Sequence, residues 1–233
     1  MKNLLSLISL FLLLQVNGIA QDSGYFAISR GISYPQGNFA SNDPNNNLAG
    51  YAESGGFLNL SFTYKFNKYL GATILYNLQA YETDGEPMTI NFTQTIGVPM
   101  GIEYVYGSST WSMGSYLAGI HGSFTILKKL CFESNLLIGY SNVWCPSISH
   151  LVYVGPWEVR QGKKNSTISF LIGAGLKYNI IGHVCLLANA EYMVARPEFK
   201  NVEIIKSDGP DLYISFSKPI QVLNYSLGLG YRL

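Results

Sequence analysis

His121, Ser123 and Glu133 supply the side-chain types of a nucleophilic hydrolase. A histidine can take the proton of a serine nucleophile, and a carboxylate can orient that histidine. His121 and Ser123 are two residues apart, a spacing that places both on one face of a β-strand. The alternative is that they are polar side chains filling a protein interior. Their predicted inward direction, close to a short turn, favours that alternative.

The three cysteines and one asparagine-rich segment are the remaining candidates for metal or redox chemistry. Cys131, Cys145 and Cys185 form no CxxC pair, so no zinc site is predicted. Cys131 and Cys185 each follow a short turn, and we interpret them as small interior fillers rather than as a disulfide. Segment 41–47 (SNDPNNN) offers oxygen ligands for calcium, but it lacks the ordered acidic spacing of a calcium loop and is typical of a solvated turn. We therefore expect no metal and no cofactor.

The composition points to a lipid-facing protein or an unusually apolar secreted one. The chain has 233 residues, 15 Lys and Arg against 14 Asp and Glu, 48% hydrophobic residues and 12% charged residues. Soluble domains contain about 25% charged residues. Such a chain is too apolar to be disordered. A net charge of +1 gives no electrostatic reason to expect a nucleic-acid partner.

The N-terminus has the features of an export signal. A short basic start precedes an apolar run over 4–14, and Gly18-Ile19-Ala20 provides the small residues of a cleavage site. We predict a signal peptide at 1–20 and a single domain at 21–233. An uncleaved anchor helix is the alternative, but the run is shorter than the ~20 residues that a bilayer span needs.

Period-two alternation dominates the rest of the chain and predicts β-strands. Large apolar residues alternate with small or polar ones in 58–66, 70–79, 166–180, 184–194 and 223–233. The polar positions are mainly Gly, Ser, Thr and Asn, as in the crowded interior of a small barrel, whereas a solvent-exposed face would be dense in Lys and Glu. Near the strand ends, Tyr64, Phe66, Tyr178 and Tyr231 could form an interfacial aromatic girdle. A soluble two-sheet sandwich also alternates and is the competing fold.

Short and long connections alternate along the chain, as in outer-membrane barrels. Three-residue turns are predicted at 67–69, 127–129 and 181–183, and the middle turn could be shifted by one residue. Polar segments at 37–55, 82–110, 146–165 and 196–217 are predicted to be long outer loops. The sequence therefore predicts an all-β, antiparallel, up-and-down transmembrane β-barrel of eight strands. A strand-like stretch within 90–107 is assigned to the second outer loop, and ten strands is the alternative.

Five ionisable side chains are predicted to face the lumen and to form an ionic cluster. They are Lys65, Glu133, Lys177, Glu191 and Arg232, with His121 nearby. Buried charges must be paired, so the cluster is interpreted as a plug that fills a narrow barrel and fixes its register. The functional alternative is a gated polar pathway, which the narrow interior of an eight-stranded barrel disfavours.

Several short motifs resemble those of small outer-membrane β-barrel proteins of the OmpA-like and PorT-like kind. They are the first strand running into 34–39 (YPQGNF), an internal 96–99 (IGVP) before an aromatic strand, and the terminal 227–233 (LGLGYRL). The resemblance covers the whole mature chain. It implies a location in the cell outer membrane and recognition by the barrel-insertion machinery.

Function does not follow from such a fold, because members of these families have structural, adhesive, secretion-related and enzymatic roles. We expect a non-enzymatic monomer that contacts membrane lipid and lipopolysaccharide and has a structural or surface-interaction role. The His121-x-Ser123 spacing with a downstream Glu133 also resembles the lipid A deacylase barrels, which implies a lipid-modifying enzyme as the first alternative. A narrow small-solute channel is the second. Trp144, Tyr153, Val154 and Trp157 in the third outer loop are interpreted as packing over the barrel mouth or, alternatively, as anchoring a partner.

Overall fold

The computed structural model describes residues 24–88, 90, 104–152, 158–207 and 209–233. The predicted signal peptide, most of the strand-like stretch in 90–107, and Tyr153, Val154 and Trp157 lie outside the described residues. Within the described ranges, no helix is both long enough and apolar enough to cross a membrane.

Thirteen strands form two sheets within the described residues. In chain order they are β1 Gly24–Pro35, β2 Ala52–Lys65, β3 Leu70–Thr83, β4 Tyr104–Ser108, β5 Trp111–Leu127, β6 Leu130–Trp144, β7 Ile148–Val152, β8 Glu158–Arg160, β9 Lys164–Asn179, β10 Val184–Ala195, β11 Glu198–Lys206, β12 Leu212–Ser217 and β13 Ile220–Arg232. Eight of them close into a barrel in the order β1-β13-β10-β9-β6-β5-β3-β2. All of the barrel pairings are antiparallel. The predicted eight-stranded barrel is therefore confirmed.

The short turns fix the register of three barrel hairpins. Phe66 donates its N–H to the carbonyl of Leu70 (2.9 Å), and Ile180 donates to Val184 (3.0 Å). The turns at 67–69 and 181–183 thus have the predicted length. The middle turn differs, because Leu127 pairs with Leu130 and a bulge lies between Thr125 and Leu127. The bulge adds one residue to β5, so the inward and outward faces beyond it stay as the alternation predicts.

The two faces of the barrel wall differ sharply in chemistry. Outward residues are large and apolar; Ile74, for example, is 63% exposed, whereas its neighbour Thr73 is buried at 3%. Phe66, Tyr178 and Tyr231 also face outward at the end with the short turns. An exposed apolar belt around a closed wall is stable where hydrocarbon covers it, and closure satisfies the backbone hydrogen bonds that lipid cannot. The belt therefore faces lipid.

A second sheet, which we call the cap sheet, is built from the segments between the barrel hairpins. Its five strands run in the order β12-β11-β8-β7-β4. The long connections predicted from the sequence are present, but the sequence analysis did not predict that they form a sheet, in which Val202 and Ile204 on β11 are buried and alternate with more exposed neighbours. This alternation is short and interrupted by a register shift between Phe199 and Val202. The ten-stranded alternative is wrong, since β4 pairs with β7 in the cap sheet.

Aromatic side chains close the barrel end beneath the cap sheet. Trp111, at the start of β5, lies 5.6 Å from Phe39 and 6.0 Å from Phe199, measured between ring centroids. Phe39 also lies 5.3 Å from Tyr81 in an edge-to-face arrangement. Trp111 donates its indole N–H to the carbonyl of Gly50 (2.9 Å). These buried rings join the cap to the barrel in one apolar core.

Candidate functional site

Glu133 is the centre of a buried ionic cluster near the short-turn end of the lumen. Its carboxylate lies 2.6 Å from Lys177 Nζ and 3.7 Å from Lys65 Nζ. The hydroxyl of Tyr25 donates a hydrogen bond to Oε2 (2.6 Å). Lys177 Nζ also lies 4.5 Å from the centroid of the Tyr25 ring. The negative charge of Glu133 is thus stabilised by one close cation, by a second and more distant cation, and by the neutral hydroxyl of Tyr25.

The strand register explains why these residues meet. Ser123 pairs with Glu133 between β5 and β6, and Cys131 pairs with Lys177 between β6 and β9. Tyr25 comes from β1, which is four positions from β6 around the barrel in either direction. The hydrogen bond between Tyr25 and Glu133 therefore spans the full diameter of the lumen. Only a narrow barrel brings side chains from opposite walls into contact.

The two other residues predicted for the cluster lie elsewhere. Glu191 is buried farther along the lumen, where it accepts a hydrogen bond from Asn59 Nδ2 (3.0 Å). Arg232 lies at the short-turn rim, and its guanidinium donates to the carbonyl of Gly182. Of the five predicted members, the structure brings together Lys65, Glu133 and Lys177. Alternation in the sequence predicts an inward direction for all five, but it carries no information on their depth or partners.

His121 and Ser123 share the inward face but do not form a nucleophile–base pair. His121 Nδ1 hydrogen-bonds Asn135 Oδ1 (3.0 Å), and its Nε2 lies 3.7 Å from Glu133. Ser123 Oγ accepts a hydrogen bond from Lys65 Nζ (3.1 Å). A histidine that activates a serine must contact its hydroxyl. The arrangement instead makes both residues neighbours of the ionic cluster.

The lumen between the cluster and the apolar core is filled with short polar side chains. Ser141 Oγ lies 2.6 Å from both Ser115 Oγ and Ser169 Oγ. Asn77 donates to Asn59 Oδ1 (2.6 Å). A cavity of about 30 Å³ lies beside Glu133 and Glu191, with Asn59 and other polar side chains in its wall, which is room for about one water molecule. Along the described lumen, the ionic cluster, the polar layer and the aromatic core succeed one another.

A larger cavity, the cap cavity, lies between the cap sheet and the loop that follows β1. Its volume is about 410 Å³, within the range of about 300–1,000 Å³ that is typical of small-molecule sites. Its walls are mostly apolar and include Tyr51, Trp111 and Phe216. Two cationic side chains, Arg160 and Lys218, also line it.

Burial changes the acid–base properties of the cap cavity. The pKa of Lys218 is lowered to about 8, first because burial disfavours its charge and second because Arg160 repels it. Burial likewise lowers the pKa of Arg160 to about 10. The pKa of Tyr51 is raised to about 12, chiefly by burial and then by the negative charge of Asp43. At neutral pH the cavity therefore contains two cations and a neutral phenol.

Sequence reasoning missed the cap cavity because its residues come from distant segments. Arg160 lies at the end of β8 and Lys218 directly follows β12, so their proximity follows from how the cap sheet folds. The only local signal was the position of Lys218 between the apolar residues Phe216 and Ile220. A lone lysine of this kind usually reaches solvent.

The remaining sequence candidates have structural surroundings. The three cysteines are buried free thiols. In segment 41–47 the polar side chains bind one another and the backbone; Asn46 Nδ2, for example, donates to Asn38 Oδ1 (3.0 Å) and Ser41 Oγ (3.3 Å). Trp144 faces outward at the rim of β6, with Lys164 Nζ 4.8 Å from its ring centroid. The interpretation that Trp144 packs over the barrel mouth was therefore wrong.

A closed eight-stranded wall, a lipid-facing belt and a filled lumen define a membrane-spanning β-barrel. Among solved structures, a major outer membrane protein from Thermus thermophilus is similar at 10% identity and a TM-score of 0.51, with 90% of this chain and 99% of that chain covered. Ail, the attachment invasion locus protein of Yersinia pestis, is 19% identical with a TM-score of 0.44, covering 91% of this chain and 99% of that chain. The outer membrane protease OmpT from Escherichia coli is 10% identical with a TM-score of 0.47, covering 94% and 100%.

No protein-family model matches the chain, and no curated protein sequence matches it. The structural likeness at this level of identity establishes the fold. The coarse part of the predicted resemblance, a small barrel of the outer-membrane type, is thereby confirmed. Closed barrels of this kind, with short turns at one end and long connections at the other, belong to outer membranes. The fold thus agrees with the predicted location in the cell outer membrane.

Proposed function

We propose that this protein is a non-conducting outer-membrane barrel that holds a folded cap at the cell surface, with a structural or surface-interaction role. One observation supports this role above the others: the lumen is filled at three successive levels, while the segments outside the wall form an ordered five-stranded sheet. A barrel that serves as a pore needs a continuous path. A barrel that serves as an anchor needs a stable wall and a defined outer surface.

The expected partners follow from this role. The belt contacts membrane lipid, and the outward rim on the cap side contacts lipopolysaccharide. We expect a monomer, and this is supported by the closed wall, which has no free strand edge for pairing with the wall of a second copy. The barrel-insertion machinery assembles it. We also propose that its nearer relatives are small outer-membrane barrels of the OmpA-like or PorT-like kind.

Solute leakage tests the proposal directly. Purified protein is folded into liposomes loaded with a small sugar or a small fluorescent dye, and efflux is compared with protein-free liposomes and with liposomes containing an open porin. We expect efflux equal to that of protein-free liposomes. Efflux that rises with the amount of folded protein would overturn the closed-lumen proposal in favour of the small-solute channel.

The lipid-modifying alternative has its own test. Ser123 lies beside Lys65, His121 and Glu133, but its hydroxyl accepts from a lysine and no contact with the histidine is present. We expect no release of fatty acid when the folded protein is incubated with lipopolysaccharide. Release that disappears in Ser123→Ala, with the variant still folded, would establish an enzyme.

A further inference from the structure

The cap cavity contains two buried cations. Arg160 is 7% exposed and Lys218 is 8% exposed. Removing a charge from water is costly unless an opposite charge or several hydrogen bonds compensate. The partners of these two groups therefore decide what the cavity is suited to bind.

The partners that the described residues provide are neutral and incomplete. Arg160 donates from one terminal nitrogen to the carbonyl of Pro146 (3.0 Å), and its buried Nε has no hydrogen-bond partner in the described part of the chain. Lys218 Nζ donates to the carbonyls of Asn47 (2.9 Å) and Ala49 (2.7 Å). Within the same ranges, every ion pair lies outside this cavity.

Both cations lie against the same aromatic wall. Arg160 Cζ is 5.2 Å and Lys218 Nζ is 5.9 Å from the centroid of Phe216, and Lys218 Nζ is 6.0 Å from the centroid of Tyr51. Contacts with ring faces offset part of the cost of desolvation, but they do not use the N–H donors, and Arg160 Nε stays without an acceptor among the described residues. The rest of the wall, including Met88 and Trp111, is apolar.

We propose that the cap cavity is a binding site for a small amphipathic anion, with its anionic oxygens at Arg160 and Lys218 and its apolar body against Phe216 and Trp111. A guanidinium donates in a planar fork that fits carboxylate, sulfonate and phosphate oxygens. The bound oxygens supply the charge and the acceptor that buried Nε lacks. This site deepens the proposed surface-interaction role and rests on it, since the cap then recognises a ligand as well as covering the barrel.

Calorimetric titration of the full chain in phosphatidylcholine nanodiscs tests the site. The probe is naphthalene-2-sulfonate, and the neutral control is naphthalene-2-sulfonamide, with empty nanodiscs as the blank for partition into lipid. We expect saturable binding of the sulfonate and at least about tenfold weaker binding of the sulfonamide, because a hydrogen bond to a charged group is worth about tenfold or more in affinity. Repeating the titration with phosphatidylglycerol in the discs distinguishes the two sources of the anionic group. Weaker sulfonate binding indicates that a lipid phosphate competes for the site, and unchanged affinity indicates that the site takes a free anion.

Two cavity variants and one matched control separate this site from surface charge. Arg160→Gln and Lys218→Gln should each weaken sulfonate binding by about tenfold or more. Lys200→Gln, which removes an exposed lysine paired with Glu198, should leave it unchanged. Folding of each variant is verified on a detergent gel, where a folded barrel migrates differently before and after boiling. Because two independent cavity variants are used, the test remains decisive if one fails to fold.

Two results would overturn the site. One is the absence of saturable sulfonate binding by the wild-type protein, as expected if an acidic side chain of the chain itself already occupies the cavity. The other is equal binding by the wild-type protein and both cavity variants. Neither result bears on solute leakage, so failure of the binding site and failure of the closed-lumen proposal are distinguishable.

Discussion

Glu133→Gln should destabilise the barrel by breaking the only close charge pair of the described lumen. The substitution keeps the shape of the side chain and an oxygen that accepts from the Tyr25 hydroxyl. It removes the negative charge 2.6 Å from Lys177 Nζ. The side chain of Lys177 is 4% exposed, so solvent cannot replace the lost carboxylate.

The expected size follows from the cost of leaving a buried charge unpaired. Removing one partner of a buried ion pair costs about 3–5 kcal/mol. The second cation, Lys65, is farther from the carboxylate and more exposed, at 3.7 Å and 16%, so its contribution is small. For a domain of about 200 residues each kcal/mol corresponds to about 2–4 °C, which gives a fall in unfolding temperature of about 6–20 °C.

The assay is urea or thermal unfolding in one fixed detergent, followed by the gel shift and by near-UV circular dichroism. Glu191→Gln is the matched control, because Glu191 is equally buried but its hydrogen-bond partner is the neutral Asn59. We expect Glu191→Gln to change stability by less than about 1 kcal/mol, since the hydrogen bond from the amide is retained. Unfolding rates must be compared under identical conditions, since barrels can unfold irreversibly.

A double substitution completes the test. Glu133→Gln with Lys177→Met removes both charges, and replacing both members of a buried pair is often neutral, so most of the lost stability should return. Unchanged stability in Glu133→Gln, or an equal loss in Glu191→Gln, would refute the assignment of Glu133 as the centre of the ionic plug.

Three further outcomes are expected. The pKa of Lys218 is about 8 in the folded protein, below its value in the unfolded chain, so unfolding above pH 8 takes up a proton. The free energy of unfolding should therefore rise from pH 8 to pH 10, while sulfonate affinity falls. A free energy of unfolding that does not change over this range would contradict the expectation. Gly139→Ala should lower stability by a few kcal/mol, because a Cβ there would overlap the carbonyl of Tyr116, and wild-type unfolding of the variant would show that the strands can separate. Brominated lipid should quench Trp144, which faces outward, but not Trp111, which is 2% exposed, when single-tryptophan variants are compared; equal quenching would place both in the same surroundings.

The barrel was predictable because its constraint is local and repeated. Each strand shows the two-residue alternation over most of its length, and a turn of fixed length transmits the inward face of one strand to the next. Lys65, Glu133 and Lys177 could therefore be assigned to the lumen from the sequence. The bulge at Thr125 did not disturb this, because it lies at the end of the hairpin.

The cap was not predictable in the same way. Its strands, such as Glu158–Arg160, have as few as three residues, which is too short for a periodic signal. Two of its pairings, β4 with β7 and β8 with β11, also join distant parts of the chain. The depth of a side chain within the lumen was equally inaccessible from alternation, which explains why Glu191 and Arg232 were grouped with a cluster that they do not join. Arg160 Nε has no hydrogen-bond partner within the described ranges. This follows from how the cap packs and has no signal in the sequence.

The hydrogen bond across the lumen from Tyr25 to Glu133 has a consequence for the order of assembly. It joins β1 to the opposite wall, so it cannot form while the sheet is still open, and it must follow the zipping of the seam between the first and last strands. Contacts that are absent from the transition state slow unfolding without accelerating folding. We therefore expect the hydrogen bond of this tyrosine to form late, to slow unfolding of the inserted protein and to leave its rate of insertion unchanged.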